Sequence, residues 1–174
     1  FLVTETVRID GSLLEGGGAI LRNSVSLSAI FQHPVEIYNI RAKRSNPGLR
    51  NQHAFVIKTI GQLCSASMTG VEVGSSRITF APGRLKGGEY TVDVQTAGSL
   101  SLILQALFPV AALSGEKVTL KLKGGTDVPW APPIDYMHYV YLPMIEKLGI
   151  EASLCVGRRG HYPKGGGLVT CCLL

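Results

Sequence analysis

The stretch DGSLLEGGGAILR, residues 10–22, decides how the start of this chain folds. It joins a segment of alternating apolar residues to a helical apolar pattern that continues from Ile20. Between them lie the carboxylate of Glu15 and three successive glycines, which allow a turn to aim bare backbone N–H groups at a ligand. The positive end of the helix dipole falls at the same place, and Arg22 adds a full charge one turn later.

These features predict an anion site. Glu15 does not suit a pure phosphate cradle, so its presence beside the glycines suggests a divalent cation that bridges carboxylate and phosphate.

Composition narrows the class of protein. The 174 residues are 45% hydrophobic and 17% charged, which is enough for one good core or two small ones. The net charge of +5 favours an anionic partner without proving one. No apolar run reaches the length of a membrane span, no secretory signal is seen, and none of the four cysteines has a zinc-ligand spacing. We therefore expect reduced thiols and a nuclear or cytoplasmic location.

The order of predicted elements repeats after about 85 residues, and a repeated supersecondary unit usually buries a shared face. In the first repeat we predict strands at 3–9, 35–42, 71–74 and 77–81, and helices at 18–32 and 51–66. In the second we predict strands at 89–95, 117–123, 150–156 and 168–173, and helices at 98–113 and 134–148. The fold class is α+β, with tandem β-α-β-α-β-β repeats spanning residues 1–84 and 85–174.

Two helices of the second repeat carry distinctive features. The helix at 98–113 is apolar nearly all round, which predicts that it is buried. Pro109 and Pro143 interrupt the helical patterns and predict kinks.

A second anion signal is RAKRSNPGLRNQH, residues 41–53. Its four cations fall at a strand end, in a loop and at a helix start: Arg41, Lys43, Arg44 and Arg50. The guanidinium groups of the arginines can bind phosphate bidentately there. Gln52 and His53 can add hydrogen bonds. The alternative interpretation is a solvated charged loop.

Three weaker signals lie in the second repeat. Gln105 is a lone amide on an apolar helix and is either a satisfied core residue or a contact to a base or sugar. The loop GGTDVPWAPP, with Trp130, is either a rigid connector or a wall for a flat ligand. The segment RRGHYPKGGG is either a solvated hairpin tip or a basic turn whose Tyr162 stacks on a base. No histidine is placed by sequence as a nucleophile.

The motifs DGSxxEGGGxILR, IRAKRSNPGLRNQH, TAGS with LQ, KGGTD with APP, and GxYPKGGG together resemble the RNA 3′-terminal phosphate cyclase family. The match runs in order over essentially the whole chain. The resemblance implies an enzyme that uses ATP and Mg²⁺ (or Mn²⁺) to convert an RNA 3′-phosphate into a 2′,3′-cyclic phosphate, through enzyme–AMP and RNA–adenylate intermediates. It also implies a large domain built of β-α-β-α-β-β repeats.

The resemblance also implies roles for particular residues. Glu15 would bind the metal, and Arg22 would contact the phosphates of ATP. Gln105 and Pro132 would line the adenosine pocket. The residues that would hold the RNA terminal phosphate are Arg41, Arg44 and Gln52.

The sequence departs from the family pattern at Ala19, where members commonly carry glutamine, and it ends before the motif of the nucleophilic histidine. We therefore expect no catalytic nucleophile in this chain. The chain alone would be inactive, and its two repeats would form part of a larger domain. The alternative is a non-catalytic cyclase-like factor that binds RNA in ribosomal RNA processing; a related enolpyruvyl transferase lacks motif support. The expected partners are ATP and RNA with a 3′-phosphate end. We expect no membrane partner and do not expect DNA to be the main substrate. The oligomeric state stays open.

Overall fold

The computed structural model describes residues 5–174, so Val3 of the first predicted strand lies outside the described residues. The chain divides into two compact units, one ending at Leu85 and one running from Lys86 to Leu174. Each unit holds a four-stranded sheet, and the elements of each follow the predicted order β-α-β-α-β-β. The α+β fold class and the tandem repeat are therefore confirmed.

The first unit forms a sheet in the order β1-β2-β4-β3. Its strands are Val7–Asp10 (β1), Val35–Tyr38 (β2), Ser67–Thr69 (β3) and Ile78–Ala81 (β4), and its helices are Gly18–Phe31 (α1) and Asn51–Leu63 (α2). β1 and β2 are parallel, as a connecting helix allows, and the other pairs are antiparallel. The inward residues Val35, Ile37 and Phe80 are buried, so the sheet packs one face on the core.

The predicted strand at 71–74 is wrong. Glu72 donates its N–H to Gly70 and Ser75 donates to Glu72, so these residues turn between two left-handed glycines, Gly70 and Gly74. The strand that pairs with β4 lies earlier, at Ser67–Thr69, because α2 ends at Leu63 and not at residue 66.

β2 is also shorter than predicted, since it ends at Tyr38. The next residue, Asn39, adopts a left-handed backbone with φ of 51°, which breaks the extended strand. Ile40 nevertheless stays buried and donates its N–H to Ser76. The early strand end carries Arg41 into a loop beside the glycine-rich turn.

The second unit forms a sheet in the order β5-β6-β8-β7, again with the first pair parallel. Its strands are Gly88–Asp93 (β5), Val118–Gly124 (β6), Ala152–Arg158 (β7) and Gly167–Leu173 (β8). β7 carries an irregularity between Val156 and Arg158, where the pairing with β8 shifts register. Alternate residues of β6, Val118, Leu120 and Leu122, are buried as their spacing predicts.

The helices of the second unit accommodate two prolines. Helix α3, Leu100–Ala112, is mostly buried as predicted and continues through Pro109. The last helical segment begins as Ile134–Tyr136 (α4), passes through a π-helical turn at Met137–Tyr141 and resumes as Leu142–Glu146 (α5). Pro143 falls in the first turn of α5, where a missing N–H costs least. Among the described residues, no helix is both long and apolar enough to cross a bilayer.

Candidate functional site

The glycine-rich turn follows directly from the end of β1. Gly11 donates its N–H to the Tyr38 carbonyl at 2.7 Å, which anchors the turn to β2. Asp10 accepts from the backbone and hydroxyl of Ser12 at 2.9 and 2.8 Å, and these bonds hold the pKa of its carboxyl below the ordinary value. Helix α1 begins after Gly17, which offers no side chain to cap it. The first N–H groups of α1 are thus left for a ligand or water.

Glu15 and Arg44 meet across this turn. Arg44 Nη2 lies 3.2 Å from Glu15 Oε2, although the Glu15 side chain is 89% exposed. A Cβ on Gly17 would stand 3.3 Å from the same Arg44 nitrogen, so the guanidinium lies directly over the glycines. The structure therefore brings together the predicted metal ligand and one predicted phosphate contact.

His53 lies at the centre of the site. It is only 3% exposed, and its Nδ1 accepts the Arg50 N–H at 3.3 Å. That hydrogen bond assigns the proton of the neutral ring to Nε2. Nε2 in turn lies against Gly18, at the start of α1, so closely that a Cβ there would overlap it. Close approach of the ring is the physical reason for glycine at this position.

The pKa of His53 is lowered to about 4 by burial and by the charges of Arg41, Arg22 and Arg50. The ring is consequently neutral at physiological pH, and it acts as an uncharged spacer between cations.

Arg22 and Arg41 are partly buried around this ring. Burial lowers the pKa of Arg22, and an Nη1 atom of its guanidinium lies 3.1 Å from where a Gly18 Cβ would be. Burial, together with the charges of Arg44 and Arg50, also lowers the pKa of Arg41. Arg41 Nη2 donates to the Asn46 carbonyl at 3.1 Å, whereas its Nε is buried without a hydrogen-bond partner in the described part of the chain. Such crowding of like charges is costly unless an anion is present.

We name this group the arginine cluster; its members are Arg22, Arg41, Arg44 and Arg50. Within residues 5–174, Glu15 is the one carboxylate that pairs with it. Gln52, the remaining predicted phosphate contact, is half-buried in the first turn of α2, next to His53. The cluster fits an anion that carries several oxygens and more than one charge.

Sequence reasoning counted Arg50 among the cations of the second motif and gave His53 a hydrogen-bonding role, but the resemblance assigned neither of them to a ligand. The position of His53 three residues after the helix-capping Arg50 was a usable signal, since a side chain there can reach back to the cap.

The two predicted adenosine contacts lie in the second unit. Pro132 precedes α4, and its carbonyl accepts the Ser101 hydroxyl at 2.6 Å. Ser101 also pairs with Ser99, the N-cap of α3, at 2.8 Å. Gln105 is half-buried one turn after Ser101, so helical spacing puts it on the face of α3 that holds Pro132. The structure thus places these two predicted residues on neighbouring elements.

The predicted metal ligand stands without further protein ligands. In the described portion of the chain, no three His, Cys, Asp or Glu side chains come close enough to form a metal site. Mg²⁺ commonly binds one or two carboxylates and takes its remaining ligands from phosphates and water. Glu15 therefore fits an ion that arrives with a phosphate ligand, but not a metal held by protein alone.

Comparison with known proteins matches the chain, over residues 13–173, to the family model described as RNA 3′-terminal phosphate cyclase. Relatives of that name include proteins from Pyrococcus furiosus (55% identical over 162 residues), Nitrosospira multiformis (54% over 162) and Ignicoccus hospitalis (52% over 163). These alignments cover 93–94% of this chain but only 46–47% of each relative. The chain thus spans about half the length of the relatives it matches. On the family match and these identities together, the chain belongs to the RNA 3′-terminal phosphate cyclase family.

Proposed function

We propose that this chain forms part of an enzyme that uses ATP to convert an RNA 3′-phosphate into a 2′,3′-cyclic phosphate. The arginine cluster carries the proposal. The partly buried guanidinium groups of Arg22 and Arg41, with Arg41 Nε left unpaired among the described residues, call for an anion such as a phosphate monoester. The name shared by the relatives supports the choice of an RNA 3′-terminal phosphate.

In this proposal the RNA terminal phosphate binds Arg41, Arg44 and Gln52. The Arg44 guanidinium lies over the glycine turn, where it can present two parallel N–H groups to phosphate oxygens. Arg22 lies against Gly18, beside His53, and contacts the phosphates of ATP. Both phosphate groups are thereby held near one another, which is what a transfer reaction between them needs.

Glu15 binds Mg²⁺ or Mn²⁺ that enters with ATP. Its carboxylate is exposed and has one partner, Arg44, so it is accessible to an ion. When bound, the ion would neutralise negative charge on the phosphates. Release of Glu15 from Arg44 would at the same time free the guanidinium for the RNA phosphate.

Gln105 and Pro132 line the adenosine pocket in the second unit. The hydrogen bond from Ser101 fixes the Pro132 backbone, and Gln105 offers a donor and an acceptor to the base or sugar. A rigid proline wall loses little entropy when a flat base packs on it.

The proposed chemistry divides one phosphoryl transfer into easier steps. A histidine, which is not among the phosphate, metal and adenosine contacts named above, attacks the α-phosphorus of ATP and releases pyrophosphate. The AMP then passes to the RNA 3′-phosphate, and the neighbouring 2′-hydroxyl attacks that phosphate and expels AMP. The residues of this chain bind and orient both phosphates throughout.

The test is the intact mass of the full-length natural protein before and after incubation with ATP and Mg²⁺. Gain of one AMP supports the cyclase function, and Glu15→Gln should abolish that gain while leaving RNA binding largely intact. Glu116→Gln is the matched control, because it removes an exposed carboxylate far along the chain and should leave AMP transfer unchanged. A full-length protein that binds RNA and gains no AMP would favour a non-catalytic cyclase-like RNA-binding factor.

A further inference from the structure

Two loops of the second unit, residues 126–133 and 158–166, are tied together. Thr126 donates its N–H to the Gly160 carbonyl at 2.8 Å, and Gly160 donates back to the Thr126 hydroxyl at 2.9 Å. Asp127 and His161 form an isolated parallel bridge. Arg159 pairs with Asp127 at 3.3 Å and with Asp135 at 2.7 Å. The loops therefore present one fixed surface, which we name the paired-loop surface.

Two large aromatic side chains project from the paired-loop surface. Trp130 is 100% exposed, and Tyr162 is 72% exposed. Trp130 also adopts a left-handed backbone with φ of 66°, a conformation that bulky residues rarely take. A tryptophan packed against its neighbours normally stabilises a fold, but the fully exposed Trp130 ring contributes no such packing energy. The ring is therefore free to contact a ligand.

The charge of the paired-loop surface favours a polyanion. Arg158 and Lys164 are exposed on the second loop, while the charge of Arg159 is neutralised by its two aspartates. A polar cavity of about 330 Å³ opens beside Lys164 and Gly166, with Gln95 and Thr96 on its wall. Exposed aromatic faces beside cations and a polar recess match the bases and the sugar–phosphate backbone of a single strand.

We propose that the paired-loop surface binds single-stranded RNA, with Trp130 and Tyr162 as stacking faces for its bases. This inference rests on the proposed function for the choice of RNA, and it adds a contact separate from the terminal phosphate. Single strands are favoured over duplex because only splayed bases can stack on side chains. The fixed loops make the stacking faces available without an ordering cost.

Trp130 is the single tryptophan of the chain, so its fluorescence reports on this surface alone. The chain is titrated at physiological salt with a single-stranded oligoribonucleotide that ends in a 3′-hydroxyl, so the terminal phosphate plays no part. We expect quenching of Trp130 and its protection from acrylamide. With labelled RNA, Trp130→Ala should weaken binding on the order of tenfold, whereas Trp130→Phe should keep most of the affinity.

The matched control is Tyr139→Leu, which removes another exposed tyrosine of the same unit outside the paired-loop surface. It should leave RNA affinity unchanged, while Tyr162→Leu should weaken it severalfold. Equal losses in the two tyrosine variants would overturn the proposal. So would equal quenching by inorganic polyphosphate, which carries charge without bases, or loss of the RNA-dependent quenching when ATP is saturating, which would place the bound base in the adenosine pocket at Pro132.

A third contrary result would come from the full-length natural protein. If Trp130 is already shielded from acrylamide there without RNA, a protein segment occupies this surface and the proposal fails. The test is also independent of AMP transfer. A protein that shows RNA-dependent quenching but gains no AMP would refute the enzymatic proposal and leave this one standing. A protein that gains AMP but shows no RNA-dependent quenching would refute this proposal and leave the enzymatic one standing.

Discussion

His53 and Gly18 are in direct contact, with the Nε2 atom of the buried ring occupying the space where any other residue at position 18 would place its Cβ. The contact joins the start of α1 to the first turn of α2. It therefore sets how closely the glycine-rich turn approaches the arginine cluster, a distance on which phosphate binding depends.

Substitution of Gly18 by alanine should destabilise the protein, contrary to the usual effect of Gly→Ala in a helix. Alanine favours helix by about 1 kcal/mol, but the overlap with His53 should reverse the sign and cost about 1–3 kcal/mol. Urea unfolding measures the difference. The matched control is Gly61→Ala in α2, where the new Cβ meets the flexible end of Met68 and the change should stay within about 1 kcal/mol. A Gly18→Ala variant as stable as the native protein would contradict the contact.

The contact also predicts that His53→Ala rescues Gly18→Ala. Removing the ring makes room for the new methyl group, so the double variant should be more stable than the sum of the two single losses implies. Simple additivity in a double-mutant cycle would show that the two residues do not touch.

Stability should fall on acidification because of His53. Its folded pKa, lowered to about 4, lies below the ordinary 6.5 of the unfolded chain. The unfolded state therefore binds a proton first as pH falls from 6.5 toward 4, and the folded state loses stability across this window, by about 3 kcal/mol in total. Unfolding free energies at several pH values measure the slope.

The variant His53→Asn should flatten that slope, since asparagine can still accept the Arg50 N–H but does not titrate. His33→Asn, at an exposed histidine of the same unit, is the control and should keep the native slope. If both variants behave alike, the acid sensitivity comes from another group.

Arg44→Ala should weaken binding of an RNA that ends in a 3′-phosphate by about tenfold or more, because a bidentate charged contact is lost. An otherwise identical RNA with a 3′-hydroxyl should be affected far less. The exposed pair with Glu15 contributes little to folding, so the unfolding free energy should hardly change. Titration of the two labelled RNAs measures the ratio. Arg77→Ala, which removes another exposed arginine of the first unit, should affect both RNAs alike.

The cysteines should differ sharply in reactivity. Cys155 is exposed, whereas Cys64 and Cys171 are fully buried, and burial raises the pKa of the Cys171 thiol to about 12. A maleimide at neutral pH should therefore label Cys155 first and leave the two buried thiols unmodified until the protein unfolds. Peptide mass spectrometry reads the order, and rapid labelling of Cys171 in the native protein would contradict the packing of β8.

Sequence patterns predicted the elements whose apolar spacing is regular, such as β6 and α3. They failed at residues 71–74. The alternating Val71 and Val73 are typical of a strand, but Gly70 and Gly74 adopt a left-handed backbone and form turns there. The motifs brought Glu15 and Arg44 into one hypothesis because both occur in anion-binding patterns. The spacing of His53 from Arg50 signals its bond to the helix cap, but its contact with Gly18 could not be predicted, since that contact depends on how α1 and α2 pack.

The register shift in β7 has a consequence for the loop that follows it. Val156 pairs with Val169 and Arg158 with Leu168, so Gly157 is an extra residue that β8 does not match. Because side chains alternate along a strand, this one insertion determines which of two adjacent arginines reaches the aspartates and which reaches the Gly166 carbonyl. Deletion of Gly157 would move Arg159 into the place that Arg158 now holds, and the pairs of Arg159 with Asp127 and Asp135 would be lost. A change in the length of β7 alone would thus alter which contacts this surface makes, without any change of side chain at the surface.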